Sequence, residues 1–181
     1  MKKWTKIVLI TLAAVILLPV AGLAIAGALP GSGHMVATVT IHRKPEEVWP
    51  WLYRKEHVMQ WVSWLVEIRE EPGEPQAGKS GVWVMEDQDN NNERVEFTGT
   101  VQAVEPYRRI NLKLDAPGGI HGFTEYRLTP LADGSTRFDS DSRYVLESAF
   151  ARFMLPLIYW QANKKVVGDM ARLKALIEAG K

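Results

Sequence analysis

The sequence contains no cysteine. That absence excludes a disulfide framework, a thiol nucleophile and any thiolate metal site, and it is compatible with either side of a membrane. Histidine is scarce: His34, His42, His57 and His121 stand far apart and offer no paired spacing for a metal ion. No Ser-His-Asp order, glycine-rich phosphate loop or paired-carboxylate site emerges, and no cofactor is implied. Apart from Lys2, Lys3 and Lys6, every Lys, Arg, Asp and Glu lies beyond His34, where acids slightly outnumber bases and no Lys/Arg block forms. Nucleic acid is therefore not an expected partner. Asp87, Asp89, Asn91 and Glu93 imitate the alternate oxygen ligands of a calcium loop, but Asn92 replaces the glycine and no acid closes the series. That stretch reads as a turn.

Charge is also missing from Ile7 to Gly33. As a helix, the apolar run Ile7 to Leu29 spans roughly 34 Å at about 1.5 Å per residue, enough to cross a bilayer. It is longer than the apolar region of an ordinary signal peptide. Residues 1–30 therefore read as a signal anchor, with the Lys cluster in the cytoplasm and the following domain outside. The alternative is a cleaved signal, with small residues at Ala24, Ala26 and Ala28 for the cut, leaving a secreted or periplasmic domain. Residues 31–34 form a short tether, and residues 35–181 have the length of one domain with a real core.

Met35 to His42 alternates as a first strand. Pro45 opens a helix with Glu46 and Glu47 in its first turn, where the dipole favours acids. Pro50 bends or shortens it, and Lys55 to Trp61 forms a second short helix. Alternation resumes at Trp64–Arg69, Val82–Glu86, Arg94–Val104, Ile110–Leu114, Gly122–Leu128 and Thr136–Leu146. The intervening turns are rich in Pro and Gly, among them the loop at 71–78 and the hairpin signature Asp133-Gly134. From Tyr159, residues Asn163, Val166, Met170, Leu173 and Ile177 recur on one helical face, with Lys164, Lys165, Asp169, Arg172 and Glu178 mostly off it. Consecutive strands joined by hairpins give an antiparallel sheet. The class is α+β, with the last helix burying its stripe on that sheet. Pro156 is expected to kink this helix or to split off a first short segment.

Several stretches, in this order, carry a family likeness. They are Pro45-Glu-Glu-Val-Trp49 after the first strand, Trp61 closing the second helix, and Gly78-Lys-Ser-Gly81 before the third strand. Beyond them come Val104-Glu-Pro-Tyr107, the hairpin Leu128-Thr-Pro-Leu-Ala-Asp-Gly-Ser-Thr136, and Leu173-Lys-Ala-Leu176. Together they resemble the START/SRPBCC superfamily, in its polyketide cyclase/dehydrase and lipid-transport-like branch. The resemblance covers Met35 to Lys181 and implies a helix-grip fold: a seven-stranded antiparallel sheet wrapped round the long C-terminal helix, enclosing a cavity for an apolar or amphipathic ligand. The N-terminal anchor is not part of that pattern.

Inward alternate positions should line such a cavity. The candidates are Trp64, Trp83, Met85, Phe97, Tyr126, Ser140, Ser142 and Tyr144 on the sheet, with Phe153, Leu157, Trp160 and Asn163 on the helix. The polar members would orient a ligand's polar end. The run from Phe150 to Trp160 is apolar all round, more than one helix face can bury; it serves either as a pocket mouth touching the bilayer or as a helix start under the loops. No His or carboxylate faces inward by alternation, although a one-residue slip would bring in Glu86 or Glu125. The expectation is a membrane-anchored domain that binds or carries a hydrophobic small molecule such as a lipid, isoprenoid or quinone. Its alternatives are a cyclase- or dehydratase-type pocket enzyme and an interaction module with a filled core. No protein partner is indicated.

Overall fold

The computed structural model describes residues 3–29, 32–69, 73–87 and 91–180. Part of the tether, part of the loop at 71–78 and Asp89 of the calcium-like turn fall outside the described residues.

An apolar helix, α1 (Lys3–Ala28), precedes strand β1 (His34–Ile41). A short helix α2 (Pro45–Val48) follows and runs into a 3-10 turn at Trp49–Leu52. Pro45 supplies the preset φ of a first helical position, and the Glu47 carboxylate accepts from the Lys44 N–H at 3.0 Å. Pro50 removes the next N–H, and the turn tightens there as expected. Helix α3 (Lys55–Trp61) closes the insertion. The Trp61 indole N–H donates to the buried Trp51 carbonyl at 2.9 Å and ties the two short helices together.

Six further strands follow: β2 (Leu65–Arg69), β3 (Ser80–Asp87), β4 (Glu93–Glu105), β5 (Arg109–Ala116), β6 (Ile120–Pro130) and β7 (Thr136–Leu146). They form one antiparallel sheet in the order β1-β7-β6-β5-β4-β3-β2, so each hairpin neighbour in sequence is a neighbour in space. Irregularities at Leu65/Glu67 and Val101/Ala103 bend the sheet. The Leu131–Ser135 hairpin turns through Gly134 at φ 82°, a left-handed conformation that glycine adopts without strain.

Helix α4 (Ala149–Glu178) crosses the concave face, its start capped by the Ser148 hydroxyl accepting from the Ala151 N–H. Leu173 and Phe138 are fully buried where the second half of α4 meets β7, and Ile41, Trp49, Trp61, Leu128 and Met170 complete that core. Trp61, Tyr126 and Phe138 pack edge to face, with centroids 5.5–6.4 Å apart.

Two expectations about α4 need correction. Pro156 does not split off a first segment: α4 is continuous with Pro156 inside. Pro156 has no N–H for the carbonyl of Arg152 one turn back. That carbonyl is met instead by α1, since a Cβ placed on Gly27 would lie 2.2 Å from it. Asp169, assigned to the polar side, is buried on the inner face at 4 % exposure.

Candidate functional site

A space opens beneath the first half of α4. A cavity of about 340 Å³ lies there, between α4 and the inner faces of β3, β4 and β7. It falls within the roughly 300–1,000 Å³ of small-molecule sites. Its wall is apolar: Met35, Met85, Phe97, Leu114, Tyr144 and Leu155 surround it. Strand pairing explains the wall, since Met85 opposes Val95 and Trp83 opposes Phe97, which sends these side chains to the same face. Space is left where residues are small: Ala162 lines the cavity from the helix, and Gly99 faces Trp83 and Leu114 from β4. At the rim, Ile158 is 47 % exposed, and Lys165 reaches across to Asp87 at 2.8 Å, strapping α4 to β3.

A second, smaller lobe of about 70 Å³ continues inward from the first, and the two share Met35, Trp64, Met85, Leu114 and Tyr144. This recess is more polar. Thr124, Tyr126, Ser140, Ser142 and Asp169 line it. The Thr124 and Ser142 hydroxyls pair at 3.0 Å. The Asp169 carboxylate accepts from the Ser63 N–H at 3.1 Å, and the Arg172 guanidinium stands 3.8 Å away. Burial raises the Asp169 carboxyl above its ordinary range, against the pull of the Ser63 hydrogen bonds and of Arg172 and Lys165. Burial likewise drives the Tyr126 and Tyr144 phenols upward, so both remain protonated donors.

The sheet candidates converge on these two lobes. Trp64, Met85 and Tyr144 line both, Phe97 lines the outer one, and Trp83, Tyr126, Ser140 and Ser142 line the recess. The helix candidates do not. Phe153 faces the cleft between α1 and α4. Leu157 and Trp160 point outward at 47 % and 63 % exposure, and the Lys164 ammonium sits 3.7 Å above the Trp160 ring. Asn163 is half-buried on the flank, outside both lobes. The inner face runs through Leu155, Tyr159, Ala162, Lys165 and Asp169 instead. Spacing alone allows either Ala162 or Asn163 as the step before Val166, and the helix takes Ala162.

Asp169 is the residue that reading charge as surface misses. A signal was present: it stands three residues after Val166 and four before Leu173, on the buried stripe. Glu86 and Glu125 keep to the outer face of the sheet, paired with Arg94 at 2.7 Å and with Arg127, although Glu86 also reaches the cavity rim. At the calcium-like turn, Asn91 and Asn92 take positive φ, and no metal-holding cluster of His, Asp or Glu occurs among the described residues.

The model of the family described as polyketide cyclase / dehydrase and lipid transport matches residues 32–178. The chain belongs to this family. The match covers the sheet and almost all of α4 and leaves α1 outside. Among solved structures, a protein from Thermus thermophilus superposes with a TM-score of 0.66 at 15% identity, over 82% of this chain and 99% of its own. A Chromobacterium violaceum protein gives 0.65 at 15% identity, over 81% and 98%. DynU16, from the dynemicin biosynthetic locus, gives 0.58 at 19% identity, over 82% of this chain and 48% of its own. Likeness at this identity shows the fold alone. No curated protein matches the sequence. Family and fold together are those of a hydrophobic-ligand-binding domain.

Proposed function

We propose that this protein holds or carries a hydrophobic small molecule, lipid-, isoprenoid- or quinone-like, at a membrane to which α1 anchors it. The observation that carries the reading is the apolar cavity of about 340 Å³ under the first half of α4. A filled interior, as in a pure interaction module, would leave no such space. Anchoring is supported by the segment Lys6–Ala28, which is long and apolar enough to cross a membrane and is not buried by the rest of the protein. The cleft between α1 and α4 shares Gly33, Tyr144, Leu146 and Leu155 with the cavity, so a ligand leaving the bilayer beside α1 meets the pocket wall at once.

The test is native mass spectrometry of the full chain purified from membranes. A co-purifying apolar species is expected, and Ala162→Phe, which inserts a ring into the cavity, should lower its occupancy about tenfold or more at unchanged folding. Equal occupancy in the variant would overturn the reading. A second reading, a cyclase- or dehydratase-type enzyme, is supported by one observation: Asp169 is an inward carboxyl with a raised pKa. Under that reading, Asp169→Asn should trap a bound species of different mass from that found in the wild type. The carrier reading requires that neither protein hold a chemically converted form of the species held by the other.

A further inference from the structure

We infer that the inner recess selects ligands ending in a hydroxyl group, with Asp169 accepting the ligand's O–H and Tyr126 donating to its oxygen; this rests on the cavity reading above. The recess closes on three oxygen-bearing side chains from three elements: Tyr126 on β6, Ser140 on β7 and Asp169 on α4. Asp169 and Ser140 are buried, at 4 % and 6 % exposure. Neither the Tyr126 hydroxyl nor the Ser140 hydroxyl is bonded to another described residue, and neither is among the buried polar atoms sealed off without a partner. Both therefore open onto the recess rather than into packed protein. Buried hydroxyls cost free energy unless something satisfies them. Thr124 and Ser142, on the same wall, show the contrast by pairing with each other at 3.0 Å.

The chemistry of the set is specific. A carboxylate beside phenol and serine hydroxyls offers one strong acceptor and adjacent donors, which matches an alcohol or phenol, since its single O–H both donates and accepts. An ether matches only half of it. The recess is too small for more than a headgroup of this size, at about 70 Å³, and the apolar lobe beyond it receives the hydrocarbon body. Along α4 the order is rim, apolar wall, polar recess, solid core: Ile158, Ala162, Asp169 and Leu173 succeed one another toward the interior. A bound alcohol would enter hydroxyl first.

Decanol and decyl methyl ether are the probes, each offered to the full chain in nanodiscs and counted as retained ligand by native mass spectrometry. The alcohol should be retained roughly tenfold better than the ether, the scale of one hydrogen bond to a charged group. Asp169→Leu should erase that gap, and Tyr126→Phe should weaken both. Asp169→Asn, which keeps an acceptor for the Ser63 N–H, serves if the leucine variant does not fold, and should narrow the gap. Equal retention of both ligands by the wild type, or a gap of undiminished size in the Asp169 variants, overturns the recess assignment and leaves the cavity reading standing. Retention of neither ligand overturns both.

Discussion

Asp169 makes its environment costly for the fold. Its carboxyl is buried in the recess that Tyr126 also lines, and burial holds it above the ordinary carboxylate value in the folded chain. A group raised in this way contributes stability that is complete below its unfolded value and is lost as pH rises through the folded one. At neutral pH the charged form is therefore a burden. Asp169→Asn should raise the melting temperature at pH 7, and the advantage should shrink to nothing in acid, where the wild-type carboxyl is already protonated. A lower melting temperature for the variant at neutral pH would show the carboxylate to be a structural partner of Ser63 instead. Residues whose removal stabilises are the ones kept for what they do. Alternation along strands made the sheet half of the site legible, because a period of two admits only two faces and the apolar residues choose between them. Asp169 escaped for the opposite reason: its place on the stripe was visible, but pattern reading assigns charge to solvent, and a buried carboxylate breaks that rule.

At the scale of elements, α4 divides into two halves with different tasks. The C-terminal half packs solidly through Met170, Leu173 and Ile177, and its last turn is clamped to the end of β1. Glu178 accepts from the His42 N–H at 2.8 Å and from Lys174 at 2.6 Å. These contacts hold its carboxyl at about 2, against an ordinary 4.5. For a depressed carboxyl the contribution is present above the ordinary value and is lost as pH falls toward the folded one. Unfolding followed between pH 7 and pH 2 should therefore show the clamp weakening below roughly pH 4.5, and Glu178→Gln should flatten that limb. The side chain is partly exposed, so the effect should be small and reduced further by salt. Parallel curves for variant and wild type would dismiss the clamp. The N-terminal half of α4 is where the helical pattern misled. Between Phe150 and Trp160 nearly every residue is apolar, so no stripe distinguishes the face toward the cavity from the face toward α1. Only the tertiary arrangement could assign Leu155 inward, Phe153 to the α1 cleft, and Leu157 and Trp160 outward.

The whole molecule joins these halves to α1 at one point. Ser32 returns its hydroxyl to the Gly27 carbonyl at 3.1 Å, and the Tyr144 N–H donates to Gly33 at 2.8 Å. α1 thus leads almost directly into the wall of the cavity. The exposed Phe150, Leu157 and Trp160 lie on the half of α4 that α1 contacts. An indole with a lysine ammonium over it suits the boundary between hydrocarbon and headgroups. If the anchor positions the pocket for exchange with the bilayer, the α1–α4 joint must be specific, and its specificity rests on Gly27. The space beside the Arg152 carbonyl admits a hydrogen but not a side chain, and Pro156 leaves that carbonyl without its helical donor. Gly27→Leu should therefore force α1 off α4 without disturbing the sheet or the second half of the helix. The absence of native cysteine gives a clean readout. Ala24→Cys with Phe153→Cys places two thiols in the same cleft, and a short bifunctional maleimide should join them in an otherwise unchanged chain. Adding Gly27→Leu should reduce that crosslink several-fold and slow ligand uptake from labelled vesicles in proportion, while the melting temperature of the domain stays within about 2 °C. Loss of the crosslink with undiminished uptake would mean that the anchor only tethers the domain and that ligand reaches the pocket through water.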